Sequence, residues 1–349
     1  MASRSQSVLA SSRPRRRKRR ETRYVGSVIL DDFFATTRDG WRLHVKRTRR
    51  AAGVDRSRRP LLIVPGYGMN GFIFGFHPRG TSLESHLASE GIEVWTANLR
   101  GQGRSERARP DAPGPTMARY AHEDVQAVID LVLRESEGRA TQLDVLGASL
   151  GGSITFIHLS RPEARARIAS VIAVGSPLAW EEVPIFLRVP FASRRVAGLV
   201  RVSGARRLAS TVLPLVKHVP AALGMYMNAA HVDLDAASDL VRTVEDPDPA
   251  VNRDIAGWMK SRDLVIDGVH VTRAMREVTQ PLLLVVANQD GIVPERVATS
   301  AARAWGGSDV TTLRIGTPED WYAHADLFVG HASPEIVFAP IERWLRERS

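Results

Sequence analysis

The chain has 349 residues, 44% hydrophobic and 25% charged, which is ordinary for a globular protein of one large α/β domain or two smaller ones. It contains no cysteine, which excludes disulfides, thiolate metal sites and a cysteine nucleophile. The net charge of +10 belongs to the N-terminal part: residues 1–59 hold 18 Lys and Arg against 5 Asp and Glu, and the remaining 290 residues hold 30 against 33.

A basic run, RPRRRKRR from Arg13 to Arg20, dominates the N-terminus. Such runs are typical of disordered, solvated tails, and we expect residues 1–23 to form one that contacts anionic surfaces weakly and binds no nucleic acid specifically. Nucleic-acid binding through the tail is the alternative, and it predicts a steep salt dependence that is lost when residues 1–23 are deleted. The next apolar stretch, YVGSVIL, is too short for a signal peptide. No stretch is long enough for a membrane-spanning helix, so we expect a cytoplasmic protein.

After the tail, apolar runs alternate with helical patterns. FFATT and WRLHVKRT flank the turn signal Arg38-Asp39-Gly40 and predict a β-hairpin. LLIV, EVWTANL, LDVLGA, IASVIAVG, LLLVVA and VTTLRI predict short buried strands, and helical patterns such as SLESHLASEG and MARYAHEDVQAVIDLVLRES lie between them. Apolar strands that alternate with helices indicate an α/β fold, with a mostly parallel central sheet covered by helices on both faces.

The alternation stops between Pro177 and Thr279, where helical patterns with proline punctuation, such as STVLPLVKHVPAALGMYM, replace the strands. We therefore predict a core in two parts, residues 24–176 and 280–349, and a helical cap or lid inserted over residues 177–279. In sheets of this kind the loops at the carboxyl ends of the strands carry the ligand site. The insertion is therefore expected to cover that site.

The loop after the LLIV strand reads GYGMNG, from Gly66 to Gly71. A G-x-G-x-x-G pattern behind a strand is typical of a dinucleotide loop, and the same place in another α/β fold holds backbone donors of an oxyanion hole. A dinucleotide loop needs a helix at the third glycine and an acidic residue at the end of the next strand. FIFGFHPRG after Gly71 has no helical pattern, and the next strand ends in Asn98 and Arg100. The pattern therefore favours an oxyanion loop over the dinucleotide-binding loop of a nicotinamide-dependent reductase.

The segment LDVLGASLGG places Ser149 in a G-x-S-x-G motif between Gly147 and Gly151. The motif marks a nucleophilic serine when a strand enters it and a helix leaves it, and LDVL and GGSITFIHL have those patterns. We expect the glycines to avoid a collision with the serine in a strained turn. The alternative is a helix N-cap serine that follows a strand.

A serine nucleophile needs a general base, and the base needs an orienting carboxylate. In α/β folds that carry a nucleophilic G-x-S-x-G turn, the three residues follow along the chain in the order Ser, Asp or Glu, His. Asp290 follows the LLLVVA strand in ANQDGIVP, where the alternative is a turn or cap residue. His324 lies between the last strand and the last helix in TPEDWYAHADLFVG, and His331 is its rival.

Ser149, Asp290 and His324 thus have the chain order of the α/β-hydrolase catalytic triad, and LRGQGRS (Leu99 to Ser105) resembles the Arg-Gly-x-Gly-x-Ser segment of that family. More narrowly, SLESHLASEGIEVWTANLRGQGRS and HADLFVGHASPEIVFAPIERWL resemble acid lipases and, more distantly, polyhydroxyalkanoate synthases and depolymerase-like hydrolases.

In those proteins the catalytic histidine opens a His-x-Asp-x-x-x-Gly pattern, matched here by His324, Asp326 and Gly330, which favours His324 over His331. The chain departs from both groups. It lacks the cysteine nucleophile of the synthases, and Pro65-Gly66 stands where the lipases carry His-Gly.

The resemblance implies an α/β-hydrolase fold and a serine hydrolase of carboxylic esters that forms an acyl-enzyme. Ser149, Asp290 and His324 would be the triad, and the N–H groups of Leu150 and Tyr67, with Gly68 as the alternative to Tyr67, would form the oxyanion hole. No cofactor and no metal are expected, and the substrate is expected to be a small hydrophobic ester. The alternatives are a C–C bond hydrolase, a cofactor-free haloperoxidase and a non-catalytic scaffold on the same fold.

Overall fold

The computed structural model describes residues 22–138, 140–199, 203–216 and 223–349. The predicted tail, residues 1–23, lies outside the described residues except for Thr22 and Arg23, which begin the first strand. The stretch YVGSVIL belongs to an antiparallel hairpin whose turn holds Gly26 at a φ of 56°. That positive φ is easily adopted by glycine.

The strands of the described chain are β1 (Thr22–Val25), β2 (Val28–Thr36), β3 (Trp41–Arg50), β4 (Leu61–Val64), β5 (Val94–Ala97), β6 (Glu106–Arg107), β7 (Leu143–Ala148), β8 (Ile168–Val174), β9 (Val265–Ile266), β10 (Val269–His270), β11 (Leu282–Ala287) and β12 (Val310–Ile315). One sheet takes ten of them, in the order β1-β2-β3-β5-β4-β7-β8-β11-β12 with β6 paired to β3. From β5 to β12 the neighbours run parallel, whereas β1, β2 and β3 pair antiparallel. The predicted α/β class and its mostly parallel sheet are confirmed.

The α-helices are α1 (Leu83–Ser89), α2 (Met117–Arg119), α3 (Val125–Glu135), α4 (Leu150–Leu159), α5 (Pro162–Arg165), α6 (Ile185–Arg188), α7 (Arg194–Leu199), α8 (Ala205–Val216), α9 (Pro249–Ser261), α10 (Val271–Ala274), α11 (Glu295–Ala298), α12 (Ser300–Ala304), α13 (Asp326–Val329) and α14 (Ala339–Arg346). Short 3₁₀ helices span Gly71–Gly75, Ala236–Thr243 and Met275–Glu277, and π-helical turns span Tyr120–Asp124 and Pro334–Phe338. Among the described residues, no helix is long and apolar enough to cross a bilayer.

Two hydrophobic cores, one on each face, hold the sheet between helices. Successive residues of a strand point to opposite faces, and the four buried residues of β4 divide accordingly. Leu62 and Val64 pack in the core that contains the apolar face of α3, whereas Leu61 and Ile63 pack in the core that contains α1 and α14. Both faces of the sheet are therefore covered, which is why the parallel strands carry continuous apolar runs.

The region between β8 and β11 lacks the alternation of long strands and helices and lies in the range, residues 177–279, that the sequence analysis assigns to a cap. It contains α6 to α10, the 3₁₀ helices Ala236–Thr243 and Met275–Glu277, and a hairpin formed by β9 and β10. The sequence pattern predicted no strand there. The hairpin escaped detection because each of its strands is only two residues long, so it has no alternation to recognise.

Candidate active site

Ser149 lies where β7 ends and α4 begins. Its φ of 53° and ψ of −122° place a non-glycine residue in a sparsely populated region of backbone space. The N–H group of Ser149 donates to the carbonyl oxygen of Val174 at 2.8 Å, which fixes the turn to β8. The side chain lies at the carboxyl edge of the sheet, on the border of a cavity. This conformation differs from that of an ordinary N-cap serine, which is extended.

Three glycines allow this turn. A Cβ atom on Gly151 would lie 2.1 Å from the carbonyl oxygen of Val64, and one on Gly147 would lie 2.4 Å from Gly152. A Cβ atom on Gly152 would lie 2.2 Å from the hydroxyl of Ser176. The sequence-based reason for the glycines, a collision with the serine, was wrong in detail. The collisions would be with the turn's own backbone and with the adjacent strands.

Asp290 follows β11 and is buried, with 5% of its surface exposed. Its Oδ1 atom accepts the N–H groups of Ile292 at 2.9 Å and Val293 at 2.8 Å. Its Oδ2 atom remains for His324. The two interpretations of Asp290 from the sequence, turn former and partner of a histidine, are thus both satisfied by different oxygen atoms of one carboxylate.

His324 lies in the loop between β12 and α13 and donates from Nδ1 to Oδ2 of Asp290 at 2.6 Å. An ionised carboxylate can only accept, so this pair assigns the proton to Nδ1 and leaves Nε2 as the acceptor. Burial alone would lower the pKa of His324. The negative charge of Asp290, its hydrogen bond and the charge of Asp326 outweigh burial and raise that pKa above its ordinary value.

His331, the rival histidine, has a different environment. Its Nδ1 atom lies 3.5 Å from Arg79, and burial together with the positive charge of Arg79 lowers the pKa of His331. It does not line the cavity that Ser149 and His324 share. The geometry brings Asp290 to His324 and leaves His331 outside.

The predicted oxyanion loop packs against the serine turn. A Cβ atom on Gly66 would lie 3.0 Å from the Cβ atom of Ser149, so the loop backbone approaches the serine closely. Tyr67, Gly68 and Leu150 line the same cavity as Ser149 and His324. The N–H group of Leu150 opens α4 and has no acceptor within the helix. The N–H groups of Tyr67 and Gly68 have no acceptor among the described residues, so both remain candidates.

Gly71, the third glycine of GYGMNG, begins a five-residue 3₁₀ helix that the sequence pattern did not predict. Asn70 caps it by accepting the N–H group of Phe72 at 2.9 Å. Asn98 accepts the N–H group of Gly71 at 2.8 Å, and Arg100 is fully buried in a pair with Asp124. Asn98 therefore braces the loop, and Arg100 is engaged by a buried carboxylate, so neither is placed to bind a ribose or a phosphate.

An apolar cavity of about 550 Å³ adjoins the serine and histidine. Its walls come from the oxyanion loop, from the loop after Asp290 and from the helical insertion. The insertion contributes side chains that sequence analysis did not single out, since their pattern resembles that of ordinary packed helices: Trp180, Leu187, Phe191, Ala209, Leu223, Tyr226, Met227, Leu240, Ile255, Trp258 and Met259.

The hydroxyl of Tyr67 donates to Asn252 at 2.5 Å, and burial raises the pKa of Tyr67 to about 12.

One part of the insertion, residues 225–228, is hydrogen-bonded to the loops that carry Asp290 and His324. The carbonyl oxygen of Met225 accepts the N–H group of Gly291 at 3.1 Å, and that of Tyr226 accepts the N–H group of Ala325 at 2.8 Å. The N–H group of Asn228 donates to the Asp326 carboxylate at 2.9 Å and 3.0 Å. We call residues 225–228 the tethered rim.

Asp326 is fully buried and also accepts the N–H group of Ala323 at 2.7 Å. Burial raises the pKa of Asp326 to about 7, although these hydrogen bonds oppose the shift. The sequence pattern marked Asp326 without a role. The structure places it between the histidine loop and the tethered rim.

The family model described as "Serine aminopeptidase, S33" matches residues 79–315, more than half of the chain. No curated protein is similar enough in sequence to count as a relative.

Three solved structures illustrate the likeness in fold. An esterase from Thermogutta terrifontis is 20% identical, with a TM-score of 0.59 over 91% of this chain and 98% of that chain. A monoacylglycerol lipase from Paleococcus ferrophilus is 17% identical, with a TM-score of 0.60 over 88% of this chain and 99% of that chain. A 2-hydroxy-6-oxo-6-phenylhexa-2,4-dienoate hydrolase from Rhodococcus sp. strain RHA1 is 16% identical, with a TM-score of 0.58 over 91% of this chain and 99% of that chain. At these identities the likeness concerns the fold.

Proposed function

The chain belongs to the serine aminopeptidase S33 family and is an α/β hydrolase, and on that premise we propose that it cleaves carboxylic esters with a hydrophobic acyl or alcohol part, as esterases and lipases do. One observation carries the proposal. Ser149 and His324 border the same apolar cavity, and Asp290 holds Nδ1 of His324 at 2.6 Å.

In the proposed reaction, the Ser149 hydroxyl attacks the ester carbonyl carbon while Nε2 of His324 takes its proton. Asp290 stabilises the imidazolium that forms. The N–H groups of Leu150 and Tyr67 hold the oxyanion, each contributing about 3–4 kcal/mol of transition-state stabilisation. His324 returns the proton to the departing alkoxide, and a water molecule then hydrolyses the acyl-enzyme by the same steps.

The cavity lining favours an ester over a peptide substrate. An aminopeptidase must desolvate the ammonium group of its substrate, and a buried charge without a partner is costly. Among the described residues that line the cavity there is no Asp, Glu, Lys or Arg. A neutral apolar chain has no charge to desolvate in such a space, and each buried methylene group contributes about 0.8 kcal/mol.

Labelling with a fluorophosphonate, followed by mass mapping of the adduct, tests the mechanism. The reagent requires an activated serine beside an oxyanion hole. We expect one adduct on Ser149, lost in Ser149→Ala and in His324→Ala and kept in Ser160→Ala, a control serine at the other end of α4. A folded protein that forms no adduct on Ser149 would refute the serine mechanism.

A substrate comparison tests the ester assignment. Unlabelled protein, from the same preparation as the labelled sample, would be assayed on p-nitrophenyl esters, aminoacyl p-nitroanilides and C–C bond substrates of the dienoate type. Turnover of esters alone is expected. Faster turnover of the anilides or of the dienoates would replace the ester proposal while leaving the triad in place.

A further inference from the structure

The insertion has an outer surface that is unusually apolar for a protein facing water. We define the cap wall as the described residues 183–199 and 203–216, which include α6, α7 and α8. Ile185, Val189 and Leu199 are 79%, 76% and 81% exposed, and Val196 and Leu208 are 44% and 58% exposed. Five exposed aliphatic side chains between positions 185 and 208 are more than the singly scattered ones of an ordinary surface, and such a concentration points to an interaction surface.

The inner side of the same cap wall lines the active-site cavity. Leu187 and Phe191, which alternate with Ile185 and Val189, border the cavity, and so does Ala209, the neighbour of Leu208. The cap wall is therefore apolar on both sides. Packing explains the inner side, but it does not explain the outer one.

The charge of the cap wall has one sign. Its described residues, 183–199 and 203–216, hold five Arg and no Lys, Asp or Glu, although residues 60–349 as a whole hold 30 Lys and Arg against 33 Asp and Glu. Arg188, Arg195 and Arg207 are exposed beside the apolar side chains. Arginine side chains around an apolar patch match the two layers of an anionic lipid surface, in which phosphate groups lie above acyl chains.

We propose that the cap wall docks on an anionic lipid–water interface, so that lipid esters reach the cavity directly from that surface. This inference rests on the proposed ester hydrolysis, because it specifies the physical state of the substrate. A second copy of the chain is a poorer occupant. A two-fold symmetric contact between identical patches would bring arginines against arginines without an acidic partner.

Vesicle flotation with the full chain tests the docking. Ser149→Ala protein, which cannot consume the lipid, would be mixed with phosphatidylcholine vesicles or with vesicles that also contain phosphatidylglycerol. We expect binding to the anionic vesicles. The double variant Ile185→Ser/Leu199→Ser should bind at least about tenfold more weakly, since two large aliphatic side chains leave the lipid. The matched control Val265→Ser/Val269→Ser, with valines 40% and 45% exposed on the β9–β10 hairpin, should bind normally.

The basic run at Arg13 to Arg20 is present in all these proteins. It is a second site that could bind anionic vesicles, and the variants distinguish it from the cap wall. If the tail alone binds the vesicles, the double variant will bind as well as its parent, and that result overturns the proposal. Conversion of a dimer to a monomer by the same substitutions, measured by light scattering, would also overturn it by assigning the patch to a second copy.

Failure of the docking can be distinguished from failure of the proposed function. Active protein with the Ile185→Ser/Leu199→Ser substitutions should hydrolyse a short water-soluble ester at the parent rate and lose activity only on vesicle-borne esters. A protein that forms the Ser149 adduct but does not float refutes the docking alone. A protein that floats without forming the adduct refutes the ester mechanism.

Discussion

Nδ1 of His324 lies 2.6 Å from Oδ2 of Asp290, and both side chains are buried. This hydrogen bond joins the loop after β11 to the loop after β12, between residues 34 positions apart in the chain. It fixes the imidazole tautomer, which decides whether Nε2 can accept a proton.

Asp290→Asn should leave the fold intact and reduce kcat roughly 10⁴-fold, by analogy with serine protease triads. The amide can still accept the N–H groups of Ile292 and Val293 through its oxygen atom. Its NH₂ group would then face His324 and favour the tautomer protonated on Nε2, which cannot act as a base. Steady-state kinetics with a soluble ester, beside a thermal melt, checks both expectations. A loss below tenfold would contradict the role of Asp290.

The pH dependence of kcat/KM should report the raised pKa of His324. Activity needs the neutral imidazole, so kcat/KM should rise with pH through a midpoint above the ordinary histidine value of about 6.5. Tyr226, whose ring lies 6.2 Å from His324, has a pKa raised to about 12 by burial and stays neutral across this range. In Asp290→Asn the midpoint of the residual activity should move to lower pH, because burial then opposes the imidazolium with less negative charge nearby. A wild-type midpoint below pH 6 would be inconsistent with this electrostatic assignment.

Gly151→Ala should destabilise the protein and inactivate it together. Its Cβ atom would lie 2.1 Å from the Val64 carbonyl oxygen and 2.7 Å from that of Pro65, which precede the oxyanion loop. Overpacking of this kind costs about 1–3 kcal/mol, occasionally more. Urea unfolding and fluorophosphonate labelling measure the two effects. Gly114→Ala is the control, because nothing lies within 4 Å of its Cβ position. Equal behaviour of the two variants would show that the turn tolerates a side chain.

Arg100→Met should cost about 3–5 kcal/mol of unfolding free energy, since Asp124 would be left as a buried charge without its partner. Arg100 and Asp124 are both fully buried and pair at 2.7 Å. Arg134→Met removes a surface pair with Glu135 and should cost no more than about 1 kcal/mol. Urea unfolding measures both variants. Where the slope of unfolding free energy against urea concentration is unchanged, the shift in midpoint gives the loss of stability. Similar midpoints for both would contradict the ranking.

The preferred acyl chain length of the ester should reflect how much chain the cavity can hold. For straight-chain p-nitrophenyl esters, kcat/KM should rise about fourfold per methylene group, the equivalent of about 0.8 kcal/mol, until the cavity is full. Ala209→Phe should end that rise at a shorter chain, because Ala209 lines the cavity. Ala51→Phe places the same side chain at an exposed position and should not change the profile. An unchanged optimum in Ala209→Phe would mean that the acyl chain binds elsewhere.

The sequence predicted those parts of the fold and site that follow from local rules. Continuous apolar runs marked the parallel strands, and the glycines around Ser149 marked the strained turn. The cap was predicted only as a helical region. Its cavity-lining residues, such as Trp258, could not be recognised because an apolar helix face looks the same whether it packs against a core or a substrate. The bond between Asn228 and Asp326 joins residues 98 positions apart, and no local pattern encodes such a pair.

The tethered rim restricts how a substrate can enter. Met225, Tyr226 and Asn228 are bonded to the residues next to Asp290 and His324, so an opening on that side would pull on the base and its carboxylate. The side-chain ion pairs of the cap wall in the described chain lead to Glu245 and Asp254 instead. Glu245 in turn accepts a hydrogen bond from Asn70 of the oxyanion loop at 2.5 Å, and the ring of Phe191 in the cap wall lies 6.3 Å from that of Tyr67. The cap wall is therefore connected to the oxyanion loop, whereas the tethered rim is connected to the loops of the base and its carboxylate. Two parts of one insertion thus contact the two halves of the candidate site, so a substitution in either part can reach the reacting groups without lining the cavity.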